Sequence, residues 1–383
     1  MFSCKSMTIA ALLAFIVSIG TACVSNGGHH ADRDQPPADL PAAPPTEQPR
    51  LSRPELWMHG LGNPARLSAV SAHGLRMILN VRKDLRVEGM RRYIAQYEAR
   101  GLGLIITIRW TDPNDNKRPI RLDVAPTPAE ERDAIDTLIT VLNGPESRRM
   151  SGRLWVQFFN EVVGGPGTIM PEHADGLYGF ATRASERIRA EAPHVKIIGP
   201  ALTALDPLEA APEPGSTTEL RREGLLRALR WTITHADAVD IHLHCAGGDD
   251  ARQKLAQLKR ALQSEGKPDL PIVSLEWSPA RFAARRADLV GAQAALADIY
   301  RAMAEAGVRI AAYAAFADTP LKDTYEWANL WDAQGRPHEP FYSLYKTLAE
   351  TGEPPAQFDE SAPVETEPAE ADQPRRRRNR PGG

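Results

Sequence analysis

The chain has 383 residues, a formal net charge of −3 and an isoelectric point near 6.4. Its 46 Lys and Arg against 49 Asp and Glu exclude a dedicated nucleic-acid binder, which would carry a basic excess. The cysteines are Cys4, Cys23 and Cys245, and with the first two in an N-terminal leader the remaining domain has no intrachain disulfide to rely on.

In chain order, Lys5 precedes an apolar run from Met7 to Ile19, and the small residues Gly20, Thr21 and Ala22 then lead to Cys23. The run has the length of a signal-peptide core and is too short to span a bilayer, so residues 1–22 are expected to be a signal peptide and the protein to leave the cytoplasm. The placement of Cys23 resembles the lipobox of bacterial lipoproteins, with Gly20 where that motif usually has Leu. That resemblance implies a lipid on Cys23 and a membrane anchor, at the periplasmic face or cell surface; a plain secretory signal is the alternative. Residues 23–54 are rich in Gly, Pro, Ala, Asp and Gln without an apolar period, which predicts a disordered tether. Residues 353–383 turn Pro- and Glu-rich and end in Arg375 to Arg378 and Arg380, a solvated tail to which no catalytic role is given.

Between these ends, residues 55–352 alternate short apolar runs with segments of helical period, the signature of parallel strands joined by crossover helices. The predicted strands cover 55–61, 75–82, 103–110, 153–161, 195–201, 239–244, 271–277 and 309–316. Thr127-Pro128-Ala129-Glu130 reads as a capping box with Pro at the first helical position, and Ser216 to Glu219 offers a second. Gly101, Gly266 and Gly307 follow helical runs, where a left-handed terminal residue is wanted. Eight such units predict an α/β fold, a single (β/α)8 TIM barrel with disordered N- and C-terminal extensions. An open dinucleotide-binding sheet loses support because no Gly-rich phosphate turn follows the first strand. Long connections after the third and fifth strands, and residues 317–330 after the eighth, would build the C-terminal rim.

The polar residues that end apolar strands are the candidate chemistry. Leu154 to Phe159 is apolar except for Gln157 and is followed by Asn160 and Glu161; Ile272 to Leu275 is apolar except for Ser274 and is followed by Glu276. A carboxylate at such a place is costly without a task or a partner. Glycosidic cleavage uses two carboxyl groups, one to protonate the leaving oxygen and one to attack or stabilise the anomeric carbon, so Glu161 and Glu276 are the expected catalytic pair.

Asn160-Glu161 on the fourth strand and Glu276 on the seventh resemble clan A, the 4/7 superfamily of glycoside hydrolases, in the manner of its families 5 and 39. Asp240-Ile241-His242-Leu243-His244 looks like the His-x-Tyr segment of strand six in several member families, and Leu330 to Tyr342 is similar to the stretch with which many of these barrels close. The resemblance implies a retaining hydrolase of β-linked glycans or glycosides, with Glu161 as acid/base, Glu276 as nucleophile and no cofactor. Asn160, His242, His244 and Arg82 would orient the sugar and the carboxylates. It also implies departures: His244 stands where many members have a Tyr, and Phe316 where they have a strand-eight Trp.

Arg82 resembles the superfamily Arg that supports the nucleophile, and Arg109 competes for that role. Trp110, Trp277 and Trp327 are candidate sugar-stacking platforms, whereas Trp155 is expected in the core. His242, His244 and Cys245 raise the question of a metal. Strand alternation puts the two His side chains on one face and Cys245 on the other, and the remaining strand ends offer Glu and Asn, so no metal is assigned. The expected partner is a carbohydrate, and the expected state a monomer. A barrel that binds surface polysaccharide without cleaving it is the alternative reading.

Overall fold

The computed structural model describes residues 53–60, 63–111, 123–162, 169, 171–209, 211–279, 289–314, 330–331 and 335–358. Cys23 and its tether up to residue 52, the Arg run at the end of the tail, Phe316 and Trp327 lie outside them.

Nine strand segments form the sheet: β1 (Glu55–His59), β2 (Gly74–Asn80), β3 (Gly103–Arg109), β4 (Leu154–Phe158), β5 (Lys196–Leu202), β6 (Ala238–Ile241), β7 (Leu243–His244), β8 (Ile272–Ser278) and β9 (Ile310–Tyr313). All pairings are parallel, β1 through β6 follow in sequence, β8 pairs with β6 and β9, and β9 returns to β1. Because β6 and β7 occupy one position on either side of His242, the nine segments make eight barrel positions, and closure leaves no open edge. This is the expected (β/α)8 barrel. The predicted capping box at Thr127 is present: Thr127 accepts from the Glu130 amide while Glu130 accepts from the Thr127 amide, starting the helix Pro128–Leu142. At Ser216 only the cap bond from the Glu219 amide forms, and Glu219 accepts from the Gly215 amide instead.

Strand alternation divides the apolar residues into two layers. Trp57, Ile105, Trp155, Ile198, Val273 and Ile310 are among those that fill the barrel, whereas Met58, Ile106, Val156, Ile197 and Trp277 pack outward against the helices. The base of the barrel is cut to fit Trp57. A Cβ on Gly74 would lie 2.7 Å from the indole Cε3, and one on Gly103 2.3 Å from its Cη2, so only glycine leaves the ring its space.

Two local irregularities break the alternation, and both are next to a predicted catalytic residue. In β8, Ser274 pairs with Ala311 and Trp277 with Tyr313, so Leu275 and Glu276 together oppose Ala312. Such a bulge lets Leu275 join the barrel interior and Glu276 still turn to the mouth. At the end of β4, Phe159 has φ +65°, which sends its ring into the outer layer and brings Asn160 back inward. Glu161 also has a positive φ, +29°. Non-glycine residues held there are uncommon and concentrate at functional sites.

β2 is shorter than the predicted strand at its C-terminal end. The Asn80 side chain accepts from the Arg82 amide and starts a four-residue helix, Val81–Asp84, so Arg82 leaves the barrel wall.

Candidate active site

The mouth is organised around Arg76, an arginine inside the apolar run of β2 with no solvent exposure. A guanidinium there must find acceptors for its N–H groups, because burying an unpaired charge is prohibitive. It finds them on β1, where His59 Nδ1 lies 3.1 Å from Nη1, on β3, β4 and β8, and just past the end of β4. Nη1 donates to Glu276 Oε1 at 2.6 Å, Nη2 to Asn160 Oδ1 at 2.6 Å and to Gln157 Oε1 at 3.0 Å, and Nε to Thr107 Oγ1 at 2.9 Å.

Glu276 divides its two oxygens. Oε1 faces Arg76 and, at 3.8 Å, His59 Nε2; Oε2 lies 3.7 Å from His242 Nδ1 and 3.6 Å from His244 Nε2. Burial acts to raise its carboxyl, but the neighbouring cations, His242 first and Arg76 with it, reverse this and hold it well below the usual carboxylate range. Burial pushes the His59 imidazole down to about 3, so His59 is neutral at neutral pH, whereas Arg76 and His242 bring positive charge to Glu276.

His242 bridges the two carboxylates. Its Nδ1 is 3.0 Å from Glu161 Oε1, and its Nε2 lies 3.3 Å from Asp240 Oδ2, off the line of a hydrogen bond. Burial alone would lower this imidazole, but Glu276, Asp240 and Glu161 outweigh it and raise it to about 10. Asp240 is itself fixed, accepting from the Leu275 amide at 2.9 Å and from Gln157 Nε2 at 2.6 Å. His244 Nδ1 meets Ser278 Oγ at 2.9 Å, which directs the other ring nitrogen toward Glu276. Glu161, His242, His244 and Glu276 each offer one donor atom, and these atoms lie within 4.8 Å of one another. They converge from just beyond β4 and β6 and from β7 and β8, at the C-terminal end of the barrel.

The structure thus brings together Glu161, Glu276, Asn160, His242 and His244. Other predicted site residues lie elsewhere. The arginine on Glu276 is Arg76, not Arg82: Arg82 pairs with Glu130 at 3.1 Å, donates to the carbonyls of Trp110 and Thr111, and lies over the Trp110 ring. Arg109 faces Asp123 at 3.3 Å, and Asp123 also accepts from the Trp110 amide. Burial lifts the Asp123 carboxyl to about 6 against the pull of Arg109. Both arginines therefore tie the segment from Asp123 to the rim.

Trp110 and Trp277 are buried in the outer layer, Trp110 edge-on to Phe180 and Trp277 against Tyr313, so neither presents a face to the mouth. Each follows an inward-facing residue, Arg109 or Glu276, and alternation turns it outward. The alternation of His242, His244 and Cys245 is as predicted, with Cys245 buried in the outer layer. Sequence reasoning missed Arg76, His59 and the buried linkers Gln157 and Asp240. The signal for Arg76 was a charged residue within Leu-Arg-Met-Ile-Leu, a run otherwise fit for a buried strand.

No family model matches the chain, and no curated protein does. Among solved structures it is similar to a glucosidase from Croceicoccus marinus, with a TM-score of 0.57 and 15% identity over 78% of this chain and 68% of that one. It is also similar to a GH39 β-xylosidase from Caulobacter crescentus (TM-score 0.53, 15% identity, 79% and 73% covered) and to the GH39 enzyme from Xanthomonas axonopodis pv. citri (TM-score 0.52, 13% identity, 79% and 68% covered). At these identities the likeness is one of fold: the chain is a (β/α)8 barrel of the shape those glycosidases share.

Proposed function

We propose that the chain is an exported, lipid-anchored retaining glycoside hydrolase acting on β-linked glycans or glycosides. The observation that carries this is the convergence of Glu161 and Glu276 from barrel positions four and seven, with donor oxygens within 4.8 Å and Arg76 fixed on Glu276 at 2.6 Å. A spacing of that order matches a retaining pair at about 5–5.5 Å rather than an inverting pair, which leaves room for a water at about 6.5–9.5 Å.

The two carboxyl groups have different surroundings, which suits them to different tasks. Glu276 is held ionised and is the nucleophile. Its oxygen attacks the anomeric carbon as the bond to the leaving oxygen breaks, and that oxygen takes its proton from Glu161. His242 Nδ1, 3.0 Å from Glu161 Oε1, holds that carboxyl group in place. In the second step water attacks the glycosyl ester on Glu276 and gives its proton back to Glu161, so the configuration is retained. The glycosidases of similar fold make aryl β-glucosides and β-xylosides the first substrates to try.

Glu161→Ala is the test of these roles. Substrates with poor leaving groups should slow by roughly 10²–10⁴, the span of general acid catalysis, while activated aryl glycosides slow far less. Azide should rescue the variant and give a glycosyl azide of retained configuration. Equal losses for both leaving-group classes would move the acid/base role away from Glu161.

A further inference from the structure

The His-x-His pair at the junction of β6 and β7 does more than face the carboxylates: with them it completes a four-donor shell. We propose that the barrel mouth binds a divalent transition-metal ion of the zinc class through Glu161, His242, His244 and Glu276, and that the bound ion shuts off hydrolysis. The shutdown rests on the catalytic roles proposed above, whereas the binding does not.

Three observations carry the site. The first is spacing. A tetrahedral zinc with bonds of about 2.0–2.1 Å holds its donors about 3.3 Å apart. Here His242 Nδ1 is 3.0 Å from Glu161 Oε1 and 3.7 Å from Glu276 Oε2, and His244 Nε2 is 3.6 Å from that same oxygen. Shifts of a few tenths of an ångström bring these three edges to the tetrahedral value; the other three lie within 4.8 Å and shorten by at most about 1.5 Å.

The second is the outer shell. Metal-binding histidines are oriented by a partner on the ring nitrogen away from the metal. His244 has Ser278 Oγ at 2.9 Å from Nδ1, and His242 has a buried Nε2 that makes no hydrogen bond, with Asp240 Oδ2 3.3 Å away and placed to accept from it once the ring turns. The third is the division of Glu276: Arg76 occupies Oε1, so Oε2 is the oxygen turned to both histidines.

Two imidazoles and two carboxylates favour zinc-class ions over Mg²⁺ or Ca²⁺, which take six or more oxygens. The His244 side chain, 26% exposed, gives the ion its way in. As the ion binds, the proton between His242 and Glu161 leaves to solvent, and the nucleophilic oxygen and the acid both become ligands. Two negative carboxylates and one divalent ion balance in charge.

Co²⁺ titration of the full chain, first stripped with chelator, tests the binding without any substrate. The intense visible bands of four-coordinate Co²⁺ should saturate at about one ion per chain, in line with the closed four-ligand shell, and bleach when Zn²⁺ is added. His244→Phe should abolish the bands. Should that variant fail to fold, Ser278→Ala, which removes only the outer partner, should weaken binding about 10- to 100-fold. No bands at millimolar Co²⁺, or bands unchanged in both variants, would overturn the site. Hydrolysis is read separately. Zn²⁺ should stop cleavage of an aryl β-glycoside and chelator should restore it; undiminished cleavage by a Zn²⁺-saturated chain would overturn the shutdown. Saturable Co²⁺ bands in a chain that cleaves no glycoside would uphold the site and sink the hydrolase reading instead.

Discussion

Arg76 bonds five side chains from the buried centre of the mouth, and Glu276 stays ionised because His242 and that guanidinium are beside it. Arg76→Met should therefore cost more than a surface arginine would. Removing one partner of a buried ion pair typically costs about 3–5 kcal/mol, because the other charge is left uncompensated. Urea unfolding should register that loss, and kcat should fall at least as far as in Glu161→Ala. Arg82→Met is the contrast, since it breaks a rim contact to Glu130 rather than a contact to Glu276; its effect should fall on the Asp123 segment, with a smaller loss of stability. Equal effects of the two substitutions on kcat would contradict a special role for the contact between Arg76 and Glu276.

At this scale Glu161, Glu276, His242 and His244 were legible because each ends or extends an apolar strand, where a polar side chain points to the mouth. Arg76 and His59 were not, since one polar residue in a strand reads equally as a barrel-interior group or as a rim contact until the register is known. Trp110 and Trp277 were misplaced for a related reason. A strand end can aim only every second residue at the mouth, and Arg109 and Glu276 already take those positions.

The elements were readable where local chemistry fixes them. The capping box at Thr127 and the strand cores follow from residue types alone, and Thr127→Ala should cost about 1 kcal/mol by loss of the cap. The irregularities were not readable. Nothing in Ser-Leu-Glu-Trp announces a bulge, and nothing in Phe-Phe-Asn-Glu announces a left-handed Phe159, because both arise from closing the barrel on its neighbours. The base of the barrel offers a cleaner test of that closure. Gly103→Ala drives a methyl into the Trp57 ring, and overpacking of this kind costs about 1–3 kcal/mol. The melting temperature of Gly103→Ala should drop, and the double variant Gly103→Ala, Trp57→Phe should recover part of the loss. No drop in the single variant would contradict the tight fit of Trp57.

For the whole molecule, the eight-position barrel gathers residues that are 115 positions apart in sequence, Glu161 and Glu276, into one site. The placement of Cys23 after an apolar leader carries the proposal that this site works at a membrane. Cys23→Ser should release the protein from the membrane fraction into a soluble exported or unprocessed form, and unchanged membrane association would argue against the anchor. The central claim is the double displacement through a glycosyl ester on Glu276. It is tested most directly by NMR of the first-formed anomer during hydrolysis of an aryl β-glycoside, before mutarotation. The account predicts a β-configured product; an α-configured first product would contradict it, even if Glu161 and Glu276 both proved essential.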